Sequence, residues 1–275
     1  WTYNILHDDL NALRWFQLAR KSPDPQISSE AAKAYARLRP GLARFRTSAW
    51  LFPSFSTRWH DVFSYGQVRT EMKTPGPVRP YVSVRFIGDT RLTMEEAGSP
   101  QYLSESSFIL GPVPEAITRV HHKIVIEAGS AISYVNSHML PDYRGGVAFF
   151  RGYGHGLGAE SQGTFSEIGA DGVFVSRFND DFVVYSRYRF GYRPDFGPLQ
   201  VQVYGNVNFT TDARREYWAN FAEFGPGVRF RWAAMPPSLV FSVDFLRGAY
   251  TLNQGNPRRP NFYDLRAGFW YAISH

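Results

Sequence analysis

From Thr47 to the end of the chain, apolar and polar residues alternate with a period of two. This period places successive side chains on opposite faces of an extended strand, so the region is predicted to consist of β-strands. In the clearest segment, one face carries Leu199, Val201, Val203, Val207 and Phe209. The other face carries Gln200, Gln202, Tyr204, Asn206 and Asn208. Each strand therefore has an apolar face and a polar face.

About twelve candidate strands are separated by turns rich in Pro, Gly, Asn and Asp. They lie near 47–56, 59–72, 80–90, 104–111, 119–135, 143–153, 163–177, 182–192, 198–209, 217–232, 237–250 and 262–275. Many exceed the usual length of about five or six residues in soluble strands. They match the roughly 9–11 residues with which a tilted strand crosses a bilayer.

A soluble sandwich turns such apolar faces inward, whereas a transmembrane barrel turns them outward around a wet lumen. The barrel is favoured by the charge on the polar faces, and by an even strand number that closes the sheet without edges. It is also favoured by aromatic residues at strand ends, as in interfacial girdles. These are Trp59, Phe63, Tyr188, Phe190, Tyr192, Trp218, Trp232, Trp270 and Tyr271. We predict a mainly β chain that forms a transmembrane antiparallel up-and-down barrel of about twelve strands.

The charged residues expected to line the lumen are Arg85, Asp89, Lys123, Glu127, Arg187, Arg189, Glu223, Arg229, Arg231 and Asp244. In one interpretation, arginines and acids pair across a narrow lumen and fill it. In the other, the lumen is a path for sugars or anions, with Tyr81 and Tyr204 stacking on sugar rings and the arginines binding anionic groups. The sequence leaves both interpretations open.

Loop lengths predict an orientation. If the C-terminus is periplasmic, the connections near 91–103, 136–142, 210–216 and 251–261 lie outside the cell, and the shorter turns near 112–118, 193–197 and 233–236 lie inside. The segments 154–162 and 178–181 break this rule, because the inner one is long and the outer one short. A misplaced strand boundary is expected there.

Residues 1–46 show a helical period instead. The segment Ser22–Pro25 interrupts it, Ser28 or Ser29 is expected to cap a second helix, and Pro40-Gly41 to end or kink that helix. We predict an N-terminal helical hairpin at 1–46 and the barrel at 47–275. The hairpin resembles one tetratricopeptide repeat. A single repeat cannot bury both of its faces, so further repeats and a signal peptide are expected before Trp1.

Composition excludes several classes of function. The absence of cysteine excludes a disulfide scaffold, a thiolate zinc site and a cysteine nucleophile. The net charge is +6, and residues 1–46 hold eight basic and four acidic residues, which we interpret as solvated helix faces and not as a nucleic-acid site. An outer-membrane phospholipase would need a Ser and a His within reach of each other, and no His-x-Ser-Asn-Gly pattern is present. No catalytic residue, metal or cofactor is therefore predicted.

Several segments together resemble a known group of proteins. They are Pro53–Gln67 (PSFSTRWHDVFSYGQ), Arg79–Tyr81, Arg85–Asp89 (RFIGD), Glu127–Gly129, Asp142–Gly146 (DYRGG) and Ser176–Phe178. In this order they resemble the C-terminal region of NfrA-like proteins (phage adsorption protein A), which join tetratricopeptide repeats to an outer-membrane barrel. The wider architecture is similar to that of the exopolysaccharide exporters BcsC and PgaA, whose barrels are larger, at around sixteen strands.

The resemblance implies a Gram-negative outer-membrane location with the helices in the periplasm. It implies a porin-like barrel that contacts membrane lipid, anchors a periplasmic scaffold and takes part in exopolysaccharide export or surface assembly. Periplasmic or inner-membrane secretion proteins would bind the hairpin, and polysaccharide would be a further partner. The alternatives are a plugged barrel that serves only as an anchor, scaffold or surface (phage) receptor, and a phospholipase-like enzyme.

Overall fold

The structure is a computed structural model that describes residues 2–6, 8–74, 78–89, 105–114, 122–133, 139–157, 161–176 and 179–274. For the strand positions 78–79, 86–89, 105–114, 122–133 and 139–142, it describes the backbone and not the side chains.

Three helices precede the first strand: α1 (Thr2–Ile5), α2 (Asp9–Ala19) and α3 (Pro25–Leu42). The start of α3 differs from the prediction, because Asp24 caps it and not Ser28 or Ser29. The Asp24 carboxylate accepts a hydrogen bond of 2.8 Å from the Gln26 N–H, and Pro25 occupies the first turn, where its missing N–H costs nothing. The pair Pro40-Gly41 lies inside α3 and does not end it.

Helices α2 and α3 form the predicted hairpin around a small apolar core. Ala12, Phe16 and Ala31 are buried, with Ala19, Ala34, Tyr35 and Leu38 packed against them. The alanines let the two backbones approach closely. Membership of a tetratricopeptide array stays a prediction. No helix in the described part of the chain is both long and apolar enough to cross a membrane.

The described residues form thirteen strands in one sheet. The strands are β1 (Phe45–Ser56), β2 (Asp61–Met72), β3 (Val78–Asp89), β4 (Glu105–Pro114), β5 (His122–Ser133), β6 (Met139–Gly154), β7 (Gly163–Val175), β8 (Asp181–Arg193), β9 (Asp195–Phe196), β10 (Leu199–Asp212), β11 (Phe221–Trp232), β12 (Val240–Tyr250) and β13 (Asn261–Ser274). The two-residue β9 continues β8 beyond Pro194, which has no N–H to donate to a neighbouring strand. The other twelve form the wall.

The wall closes on itself, which confirms the predicted up-and-down barrel. Each of the twelve long strands pairs antiparallel with its neighbours along the chain, and β13 pairs with β1, as in the registers Ala49–Ile273 and Ser54–Gly268. Closure leaves no long strand with an unpaired edge.

We call the end of the barrel that carries α3 and the last strand residue the terminal end, and the opposite end the far end. At the far end lie the connections 57–60, 176–180, 213–220 and 251–260, among others. The expected boundary error near 154–181 is absent: β6 ends at Gly154, β7 runs from Gly163 to Val175, and β8 begins at Asp181. Asn179 and Asp180 have φ values of 59° and 55°, a left-handed turn that these two residue types tolerate.

The two faces of the wall differ sharply in chemistry. Outward positions are apolar and solvent-accessible, as at Val68, Val84, Val147, Ile168, Phe190, Val207, Phe224, Phe245 and Leu265. Inward positions are polar and buried, as at Ser56, Gln67, Glu71, Ser83, Gln202, Asn206, Asn208, Glu223, Asp244 and Asp264. Closure therefore places the apolar faces outside, the reverse of a soluble fold.

Charge is almost absent from the outward faces. Where the structure describes side chains, the outward strand positions hold two charged residues, Arg151 and Arg247. Both lie three residues from a strand end, namely Gly154 and Tyr250, where a long arginine side chain reaches an interface. The Arg247 guanidinium lies 5.9 Å from the Tyr263 ring centroid.

Candidate functional site in the barrel lumen

Ion pairs cross part of the lumen near its middle. The Arg229 guanidinium on β11 binds the Glu167 carboxylate on β7, and its Nε donates to Gln202 on β10. Arg189 on β8 lies 3.6 Å from the Asp244 carboxylate on β12. Each ion pair joins strands that are three positions apart in the wall, so each spans a segment of the lumen.

In a second network, two carboxylates surround the single guanidinium of Arg266. The Arg266 guanidinium donates to both oxygens of Glu223, at 2.6 and 2.7 Å, and to Asp264 at 2.6 Å. Asn208 donates to the same Glu223 carboxylate at 2.8 Å, and the side chains of Glu223 and Asp264 have no solvent exposure. Two carboxylates around one guanidinium more than compensate its positive charge, so Arg266 does not attract a further anion.

Between these networks and the far end lies a chamber of about 550 Å³, which we call the lumenal chamber. Its polar lining includes Arg58, Arg187, Arg189, Arg266, Asn206, Asn208 and Asp244. Its aromatic lining includes Phe52, Trp59, Phe63, Tyr65, Tyr185, Trp218 and Phe221. The lining thus combines ring faces with hydrogen-bond donors and a surplus of positive charge.

Arg187 is the least engaged cation of the lumenal chamber. Within the described part of the chain, no hydrogen bond or ion pair holds its guanidinium, whereas Arg189 contacts Asp244 and Arg266 contacts two acids. A guanidinium that faces a cavity with its donors uncommitted can bind a carboxylate or sulfate in a bidentate manner.

The far end of the chamber is covered by connections that Arg58 holds together. Its guanidinium carbon lies 3.9 Å from the Phe262 ring centroid, 4.6 Å from Phe221 and 4.7 Å from Tyr250, and its Nε donates to the Tyr250 hydroxyl at 3.1 Å. Burial lowers the pKa of this guanidinium, an effect that the Tyr250 hydroxyl opposes. Arg258 donates to the Arg58 carbonyl at 2.8 Å, so the connection 251–260 is tied to the turn 57–60.

Replacing Arg58 by Leu is expected to loosen these far-end connections, because the caged cation and its hydrogen bond to the Tyr250 hydroxyl are lost, while the Arg58 backbone carbonyl remains. Trypsin should then cleave after Arg258 at least about tenfold faster in the folded barrel, since local opening exposes the connection. Cleavage after Lys21, in the exposed turn between α2 and α3, is the internal control. An unchanged ratio of the two cleavage rates would show that Arg58 does not hold the connection.

The terminal end is partly covered by the connection between β6 and β7. Gln202 donates to the His155 carbonyl at 2.8 Å, and Arg193 donates to the Ser161 carbonyl at 2.7 Å. Gly154 begins this connection with a φ of 77°, and a Cβ there would lie 2.2 Å from the Thr164 carbonyl oxygen. Only glycine fits that position.

The structure describes the side-chain positions of seven of the ten residues predicted to line the lumen. Arg85, Arg187, Arg189, Glu223, Arg229, Arg231 and Asp244 occupy inward positions of the wall. The side chains of Asp89, Lys123 and Glu127 lie outside the described residues, and their backbones pair with Phe63, Ala148 and Arg144. Arg231 lies at the terminal end, away from the lumenal chamber, and donates to the Pro237 carbonyl at 2.7 Å.

Tyr81 and Tyr204 are not placed as expected for sugar stacking. Both are inward but only 4% and 3% exposed. The Tyr81 ring lies under Arg69 at 5.3 Å and the Tyr204 ring under Arg189 at 4.7 Å. Their faces are therefore covered by cations of this chain.

The aromatic girdle prediction is correct only in part. Tyr188, Phe190, Tyr192, Trp232 and Tyr271 occupy outward positions. Phe63, Trp59 and Trp218 line the lumenal chamber instead, and Trp270 occupies an inward position. Strand-end position alone did not separate these groups, because the direction of a side chain depends on the parity of its position in the register.

The sequence reasoning missed Glu167, Asp264, Arg266 and Arg58. The first three alternate with apolar neighbours and could have been found by the same period. Arg58 lies in a turn, where no period exists, and its ring partners come from distant strands. Within the described ranges, no group of three or more His, Asp and Glu side chains could hold a metal ion.

A closed antiparallel barrel with an apolar exterior and a charged lumen is the architecture of the β-barrels that cross outer membranes. No protein-family model matches the sequence, and no curated protein matches it. The predicted relation to the NfrA-like proteins therefore stays a prediction.

Solved structures with a similar arrangement include three outer-membrane proteins or porins. A bacterial polysaccharide outer membrane secretin matches with a TM-score of 0.40 and 8% identity, over 84% of this chain and 98% of that chain. The outer membrane channel DcaP of Acinetobacter baumannii matches with a TM-score of 0.35 and 13% identity, over 82% of this chain and 71% of that chain. The KdgM porin in complex with disordered oligogalacturonate matches with a TM-score of 0.35 and 6% identity, over 82% of this chain and 99% of that chain. These scores place the chain in no family.

Proposed function

We propose that this chain is an outer-membrane barrel that holds its helical hairpin on the periplasmic side and takes part in the export or surface assembly of an acidic exopolysaccharide. The observation that carries the proposal is the lumenal chamber, where the uncommitted Arg187 faces a cavity also walled by Asn206, Asn208 and aromatic rings. Cationic and amide donors suit carboxylates and hydroxyls, and ring faces suit the apolar face of a sugar.

The membrane location is supported by the exterior. An apolar outer surface with charge confined near two strand ends is costly in water and suited to a bilayer. Strands of 10 to 16 residues are long enough to cross it. Placing the terminal end in the periplasm leaves the far-end connections at the cell surface.

Replacing Arg187 by Gln is expected to weaken binding of an acidic saccharide about tenfold, because a charge-assisted hydrogen bond is lost. The refolded full chain would be inserted into planar bilayers, and block of its current by oligogalacturonate would be measured. The wild-type pore should prefer anions, and R187Q should reduce both the preference and the block. Arg247→Gln, at an outward position, is the matched control and should change neither. Equal block of wild type and R187Q would contradict the role of Arg187.

One group of contacts favours a second function, a closed barrel that only anchors its hairpin. The ion pairs Arg229–Glu167 and Arg189–Asp244 cross part of the lumen, and connections partly cover its two ends. A closed anchor would insert normally into lipid vesicles and show no current steps. Discrete steps in the bilayer recording would exclude it.

A further inference from the structure

Three aromatic rings face the lumen on the terminal side of the lumenal chamber, which one of them, Phe52, also lines. Trp50 and Phe52 belong to β1, and Trp270 belongs to β13, so the rings lie across the seam where the first and last strands meet. The indoles of Trp50 and Trp270 are stacked with centroids 5.1 Å apart and planes at 15°. The Phe52 ring lies 6.4 Å from that of Trp270. We call these three residues the indole platform.

The direction of the platform is set by its contacts. Trp50 Nε1 donates to the Gln67 amide at 3.1 Å, and Gln67 in turn donates to Ser83 at 3.1 Å; both of these partners are buried inward residues. Because Trp270 stacks on Trp50, its indole also faces inward. Trp270 is nevertheless 41% exposed, so a large part of its surface is open to the lumen.

The exposure of Trp270 is not explained by the membrane. Trp232, at the same end of the barrel, is 48% exposed at an outward position, where an interfacial indole is expected. Trp270 exposes a comparable indole at an inward position of the wall, on the side that membrane lipid does not reach. The open ring faces that the sequence suggested at Tyr81 and Tyr204 are thus supplied by the indole platform.

Polar groups lie beside the indole platform on neighbouring inward positions. Glu71 is bound by Arg46 and by Arg69, the latter at 3.1 Å. The Arg46 side chain is 32% exposed, and Arg69 lies on β2 one inward position from Gln67, the partner of Trp50. An open ring face beside accessible donors matches a pyranose, which has an apolar C–H face and a rim of hydroxyls.

We infer that the indole platform is a saccharide-binding subsite of the lumen, and that its ligand is a hexose oligosaccharide stacked on Trp270. The inference rests on the proposed function, which supplies the polymer that passes this point. It differs from the role of Arg187, because stacking on an indole does not require an acidic sugar. Neutral oligosaccharides should therefore bind at the platform.

Calorimetric titration of the full chain, folded in detergent micelles, with cellohexaose and maltohexaose tests the inference. The wild type should bind at least one of the two oligosaccharides, and Trp270→Ala should weaken that affinity about tenfold. Trp270→Phe should recover most of the affinity, because it retains an aromatic face. Trp232→Ala, which removes an outward indole, is the matched control and should leave the affinity unchanged.

The outcomes separate the subsite from a structural role of the seam. If the rings only close the seam between β1 and β13, Trp270→Ala will lower the unfolding midpoint and leave binding as in the wild type, which overturns the inference. If the wild type binds neither oligosaccharide, the inference is also overturned. The titration measures binding independently of any ion current. A barrel that conducts current and binds neither oligosaccharide therefore contradicts the subsite and not the proposed function. A barrel that binds and does not conduct contradicts export alone.

Discussion

Glu223→Gln is expected to destabilise the barrel by about 3 kcal/mol, because it removes one partner of a buried ion pair and leaves the other in place. Arg266 donates to both Glu223 oxygens, and Asn208 donates to the same carboxylate. The amide keeps one acceptor and turns an N–H₂ group toward the guanidinium. Asp264 then carries the whole compensation of the Arg266 charge.

This effect is measured as the shift of the urea unfolding transition of the full chain in detergent micelles, followed by heat-modifiable migration on a gel. Glu216→Gln is the matched control, because Glu216 is exposed in the connection between β10 and β11, where such changes stay within about 0.5 kcal/mol. Equal midpoints for E223Q and E216Q would mean that the acid network around Arg266 does not stabilise the fold.

Val207→Arg is expected to disfavour insertion into a bilayer by about 2–4 kcal/mol. Val207 lies outward, is 54% exposed and is close to the middle of β10, so the new charge would sit in the hydrocarbon core. If the exterior instead faced water, an arginine at this exposed position would change stability by no more than about 0.5 kcal/mol.

The measurement is the fraction of folded protein in lipid vesicles across a denaturant series. Ala249→Arg provides the matched control, since Ala249 is outward but lies one residue from the far end of β12, where the cost of an arginine falls to about 0–1 kcal/mol. A penalty that is the same at both positions would argue against a membrane that surrounds the wall.

Most of the wall could be predicted from residue order. The period of two is a local property, since neighbouring side chains of a strand alternate whatever the strand pairs with. It therefore identified the strands and the inward set that includes Arg187, Arg189, Glu223 and Asp244. Helix α3 shows the limit of the same reasoning, because Asp24 and Pro25 begin it one turn before the predicted serine cap.

The contacts inside the lumen could not be predicted in this way. Arg229 reaches Glu167 and Arg189 reaches Asp244 across strands far apart in the chain, and which cation meets which acid depends on register. Tyr204 was predicted to face the lumen and Trp270 to belong to the aromatic girdle, and the structure places both at inward positions. Arg189 covers the Tyr204 ring, whereas the Trp270 indole is left partly exposed.

The sequence by itself determined that this chain forms long two-faced strands preceded by a helical hairpin, because alternation and helix-breaking residues act over a few positions. It did not determine which face is outside. Only closure of β13 on β1 decided that, because closing the sheet gives it one inner and one outer surface and places the charged faces together in the lumen. The lumenal chamber, the cage around Arg58 and the indole platform all follow from that closure, since each joins residues that only the closed register brings into contact.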